Sequence, residues 1–139
     1  MPRIQHLDNI AQEEGTYPVR FTFKDSLRQE IDASAIVSIN WWLSDMTGTI
    51  INSRSQVVVS EIINPYYLVL QGDDLQILDK DAGYEERLIT LRGIYNSDLG
   101  NGFPFTYAVS FSLLNNLIVA SHLNIEVVDV IFAGDLVYV

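Results

Sequence analysis

Few side chains in this sequence can do chemistry, and most of those that can are carboxylates. Cysteine is absent, which removes disulfides, thiolate zinc sites and cysteine nucleophiles together. The only histidines are His6 and His122. Ser121 adjoins His122, but neighbours on an extended chain point to opposite faces and do not form a nucleophile–base pair. No Gly-x-Ser-x-Gly elbow, phosphate-binding loop or dinucleotide fingerprint appears. The sequence therefore assigns no catalytic and no cofactor-binding residue, and a non-enzyme is expected.

The acids pose a separate question. In "DKDAGYEE", Asp79 and Asp81 stand two apart, with Gly83, Glu85 and Glu86 behind them. Alternating oxygens around a glycine turn are what a calcium loop uses. Here a third ligand before the glycine and a glutamate at the twelfth place are both missing. Asp73 and Asp74 add oxygens only if the corner folds back on itself. The plainer reading is a solvated corner with acids near the start of a short helix, where they suit its dipole. No metal site is assigned. The "GDD" of Gly72 to Asp74 also occurs in polymerases, but no palm domain fits in a chain of 139 residues. Arg54 in "NSRSQ" stands apart from other basic residues. Trp42 lies on the polar face of its strand, beside Asn40 and Ser44. It is either an edge-packing residue or an interface anchor, since Trp is enriched at binding hot spots.

The elements that must hold these residues read as strands. In "YPVRFTFK", Val19, Phe21 and Phe23 alternate with Arg20, Thr22 and Lys24. "KDSLRQEIDAS" is a polar connection. In "AIVSINWWLS", Val37, Ile39, Trp41 and Leu43 share one face. "SDMTG" supplies turn residues, and "TIIN" reads as the returning strand. "QVVVSEI" and "PYYLVLQ" follow, the second opened by Pro65, where a missing N–H does least damage. "GDDLQILDKDAGY" breaks the pattern with room for a helical turn and a corner. "YEERLITLRGIY" and "FPFTYAVSFSLLN" then flank the turn "NSDLGNG" as a long hairpin. About seven short strands with no long segment of period 3.6 predict an all-β antiparallel sandwich. Its expected core is Val19, Phe21, Phe23, Val37, Ile39, Trp41, Leu43, Ile89, Leu91, Val109 and Phe111.

Composition agrees with a globular domain: 48% of residues are hydrophobic and 19% charged. The net charge of −10 argues against a nucleic-acid partner, because a phosphate backbone needs Lys and Arg to displace its counterions. It argues likewise against an anionic membrane. The N-terminal residues lack the apolar core of a signal peptide, so a chain made in the cytoplasm is expected. No apolar run is long enough for a membrane helix.

Two resemblances follow. Trp41 on the third strand and Tyr84 at the corner before the sixth stand where immunoglobulin-like domains carry a core Trp and a tyrosine corner. More specifically, the Trp-x-Leu-x-Asp-x-x-Gly-Thr hairpin at Trp41 to Thr49, "LQGDDL" at Leu70 to Leu75 and "YNSDLGN" at Tyr95 to Asn101 resemble small Ig-like structural proteins of tailed bacteriophages. That resemblance implies a virion component of the head or neck region, with no catalytic residues. It implies partners that are other copies of this chain and other virion proteins.

The domain reading is an N-terminal arm over 1–16, an Ig-like sandwich over 17–115 and a C-terminal β-hairpin extension over 116–139. In the last segment "NIEVVDVIF" and "LVYV" flank the turn "AGD", and no Lys or Arg occurs after Arg92. A lone hairpin is marginal in water, and an open apolar edge aggregates. The extension must be covered, either by its own sandwich or by adding strands to a neighbouring subunit. The expected contact residues are Trp42, Ile125, Val127, Val128, Val130, Ile131, Phe132, Leu136, Val137 and Tyr138. The expected function is a non-enzymatic virion protein, such as a capsid decoration or a neck component. The alternative is an Ig-like carbohydrate- or cell-surface-binding module using Trp42, Tyr66, Tyr67 and the turn at 96–105.

Overall fold

The alternation that begins at Tyr17 folds into two sheets that share one apolar core. The computed structural model describes residues 4–115. Its strands are β1 (Ile4–His6), β2 (Ala11–Gln12), β3 (Thr16–Phe21), β4 (Ile36–Ser44), β5 (Val57–Val58), β6 (Tyr66–Gln71), β7 (Tyr84–Ser97) and β8 (Gly100–Leu114). The larger sheet has the order β1-β8-β7-β4-β5, with β2 also paired to β8. The smaller sheet is the antiparallel pair β3-β6. Two short 3₁₀ turns, Ala33–Ala35 and Gly72–Leu75, are the helical segments among the described residues. The fold is all-β and sandwich-like.

The inward faces follow the sequence pattern closely. Val19, Phe21 and Phe23 come from one side, and Ile39, Trp41, Leu43, Ile89, Leu91, Val109 and Phe111 from the other, all buried. Val37 does not join them, because it is 58% exposed. The ladder between β4 and β7 slips by a residue between Ile36 and Ser38. A bulge of this kind changes the parity of the strand, so Ile36 turns inward in place of Val37.

Of the segment expected as an arm, β1 and β2 pair within the larger sheet. Ile4, Gln5 and His6 pair with Ala108, Val109 and Ser110, and Ala11 and Gln12 pair with Leu113 and Leu114. Both pairings are parallel, so the sheet is mixed and not purely antiparallel. Leu7 and Ala11 are each 1% exposed and belong to the core. A strand as long as β8, at 15 residues, would otherwise present an open row of backbone groups.

The hairpin of β7 and β8 runs in register from Tyr84↔Leu114 to Tyr95↔Phe103, then shifts before Ser97↔Gly100. Within it Gly93 faces Phe105, whose ring lies where a side chain at 93 would have to go. The "SDMTG" turn forms as expected: the Asp45 carboxylate accepts from the Thr47 and Thr49 amides and the Thr47 hydroxyl. The returning strand is shorter than "TIIN" predicts. It makes one bridge, Ser44↔Ile50, before Asn52 and Ser53 adopt φ of 52° and 56° and turn the chain away.

Tyr84 does not tie a corner, being 62% exposed. The hydroxyls that tie segments together belong to other tyrosines. Tyr17, stacked on Phe111 at 4.6 Å, donates to the Asn9 carbonyl at 2.7 Å. Tyr107 accepts from the Lys24 amide at 3.1 Å. Burial pushes the Tyr17 hydroxyl well above the usual tyrosine value.

Candidate functional site

The acidic corner divides into two ionic networks, each closed by an arginine. The 3₁₀ turn at Gly72–Leu75 brings Asp74 inside, where it is 1% exposed. Its carboxylate accepts from Arg54 Nε at 2.7 Å, Asn52 Nδ2 at 2.8 Å and the Gln71 amide at 3.2 Å. Burial pushes the Asp74 pKa up, but these donors outweigh it and hold the carboxyl below its ordinary value. Arg54 in turn sits 5.8 Å above the Trp41 ring. The second network centres on Arg87, which is 2% exposed. It donates to Glu85 Oε1 at 2.7 Å and to the Gln76 and Glu86 carbonyls. Glu85 also accepts from the Leu78 and Asp79 amides. Desolvation opposes the charge on Glu85, yet its donors keep its pKa lowered. Asp79 accepts from the Asp81 amide. Asp74, Asp79 and Glu85 therefore help to fold the corner, and among the described residues no three His, Asp or Glu side chains converge as a metal-holding group.

One polar pair escaped sequence reasoning. His6 Nδ1 and Ser110 Oγ share a hydrogen bond of 2.9 Å, across 104 positions of sequence. The parallel pairing of β1 with β8 makes them direct neighbours, and no local motif signals this. A nucleophilic dyad needs a group that orients the base and donors for the developing oxyanion. Among the described residues no carboxylate is hydrogen-bonded to the His6 ring, and the pair lies on a sheet face.

The remaining candidate surfaces mix apolar and polar side chains. On the outer face of the larger sheet, Trp42 stands beside Thr90, and Thr90 beside Ala108 and then Ile4 across the ladders. Trp42 is half-buried and lines a shallow depression of about 370 Å³ with Asn40, Gln56 and Arg92. A groove of about 460 Å³ opens beside β5 and β6. It exposes Val58 at 72%, Ile63 at 47% and Val69 at 47%. The aromatic residues of a sugar site do not converge. Trp42 lies on the outside of the larger sheet, Tyr67 on the outside of the smaller one, and Tyr66 packs against the core.

Of the contact residues expected from sequence, Trp42 is the one the structure places. Ile125, Val127, Val128, Val130, Ile131, Phe132, Leu136, Val137 and Tyr138 lie outside the described residues, as does His122. Among the described residues no helix is long and apolar enough to cross a membrane. No protein-family model, curated protein or solved structure matches the chain.

Proposed function

We propose that this chain is a non-enzymatic structural protein of a tailed-bacteriophage virion, joined to neighbouring subunits through a sheet edge and residues 116–139. The observation that carries the reading is the open groove beside β5 and β6, where three aliphatic side chains stand exposed among Arg54, Ser60 and Glu61. A two-residue edge strand leaves Val58, Ile63 and Val69 in water. Such an edge is a template for pairing with another chain. Support also comes from the hairpin and turn motifs at Trp41 to Thr49, Leu70 to Leu75 and Tyr95 to Asn101, whose order resembles phage Ig-like proteins. The Asp74 and Glu85 carboxylates are engaged in folding the acidic corner, which fits a structural role.

Light scattering after size-exclusion chromatography tests the proposal. The full chain is expected to be a fixed oligomer. Removal of residues 117–139 is expected to leave a folded monomer. A truncated protein that keeps the full oligomer would show that the segment is not the assembly element. A full-length monomer would favour the alternative, a binding module.

A further inference from the structure

An apolar surface lies at the far end of the long hairpin. There the connection after β3 meets the tip between β7 and β8. The chain at 24–30 closes on itself through the Lys24↔Glu30 bridge. The Asp25 carboxylate accepts from the Leu27 and Gln29 amides and fixes the turn. Ser97 Oγ accepts from the Leu99 amide and Asn96 Oδ1 from the Gly102 amide, which fix the tip. Between these two turns is a cleft of about 430 Å³. That volume falls in the range of pockets that hold a ligand or a few side chains.

The cleft has a built floor and two unsupported walls. Tyr95 and Phe103 lie 5.8 Å apart between ring centres at its base, with Pro104 beside them. Leu27 and Leu99 stand over it, 69% and 76% exposed. Loop tips are ordinarily small and polar, and a two-residue hairpin tip favours Asn or Gly. Leu at both places leaves apolar area in water from which the fold gains nothing. Around this apolar mouth the charge is acidic. Asp25 and Asp98 line the cleft, and with Glu30 and Asp32 they line the depression that continues it. Lys24 and Arg28 in the same loop offset only part of that charge.

We propose that this cleft docks a basic segment of a different protein, one that inserts an apolar side chain between Leu27 and Leu99. Charge decides against the nearer occupants. Residues 116–139 carry Glu126, Asp129 and Asp135 and no Lys or Arg. A second copy brings a net charge of −10 towards the acidic rim. The cleft shares no lining residue with the groove beside β5 and β6.

The test uses the full chain and three synthetic peptides of equal length: alternating Lys/Leu, alternating Lys/Ser and alternating Glu/Leu. Binding is followed by amide chemical shifts. The Lys/Leu peptide is expected to bind, with shifts concentrated at 25–30 and 95–104, and the other two to bind at least about tenfold more weakly. Leu27→Ser with Leu99→Ser should weaken the Lys/Leu peptide by about tenfold or more. Both side chains are exposed, so the urea midpoint should be unchanged. Asp98→Lys should shift preference towards the Glu/Leu peptide. The proposal is overturned if the Glu/Leu peptide binds the native chain equally well, or if the Leu pair can be replaced without loss. Failure of the Lys/Leu peptide to bind at about 1 mM overturns it too. A self-association that Leu99→Ser abolishes would assign the cleft to a second copy instead.

Discussion

Asp74 shows how a surface-looking motif becomes a buried ion at the residue scale. The carboxylate is removed from water and recovers its hydration through Arg54, Asn52 and the Gln71 amide. Its pKa in the folded chain lies below the ordinary value. The unfolded chain therefore binds the proton more readily. The resulting stabilisation is fully present above the unfolded pKa, about 4, and is lost as pH falls through the lower folded value. Asp74→Asn should cost about 1.5–3 kcal/mol at neutral pH, the range for hydrogen bonds to a charged group. The difference from the native protein should shrink as the acid limit is approached. Glu85 titrates in both proteins and cancels from that comparison. Urea unfolding of the two proteins at pH 7 and near pH 2.5 measures it; a gap that stays constant would show that the Asp74 charge does not matter.

At the scale of elements, the N-terminal segment and the long hairpin make the clearest demands. β1 and β2 close the open edge of β8 and place Leu7 in the core at 1% exposure. Leu7→Ala should cost about 2–5 kcal/mol, the range for a large-to-small change at a packed site. A loose arm would tolerate the same change, so a stability within error of the native value would refute the placement. Inside the hairpin, the Phe105 ring covers Gly93. Adding a methyl at 93 must displace that ring, and Gly93→Ala should destabilise by about 1–3 kcal/mol. Phe105→Leu in the same chain should recover part of that loss. Equal losses with Phe and with Leu at 105 would mean that the backbone, and not the ring, requires glycine.

For the whole molecule, the two sheets are unequal, and the larger cannot be covered edge to edge by the pair β3-β6. The groove beside β5 is the consequence. Val58 is 72% exposed there, so Val58→Lys should change stability by no more than about 0.5 kcal/mol. A Lys on an edge strand blocks strand addition. If the proposed assembly uses this edge, the same variant should therefore be monomeric by light scattering. An intact Val58→Lys oligomer would move the assembly contact elsewhere. The cleft under Leu27 and Leu99 would keep its peptide binding in this variant, because the two surfaces share no residue.

The period-two pattern determined the class of fold, because alternation along a strand depends only on local geometry and burial. It put Phe21, Trp41, Leu43, Ile89 and Phe111 inside correctly. The turn chemistry of "SDMTG" and "NSDLGNG" was equally local and equally legible. Val37 was not, because a bulge against β7 reverses parity and no residue type announces it. Nor was the docking of Ile4–His6 on β8, since parallel pairing joins residues more than a hundred positions apart. Of the candidate surfaces, Trp42 could be chosen from its place on a polar face. The cleft under Leu27 and Leu99 could not, because two turns distant in sequence become its walls only after the sheets have packed.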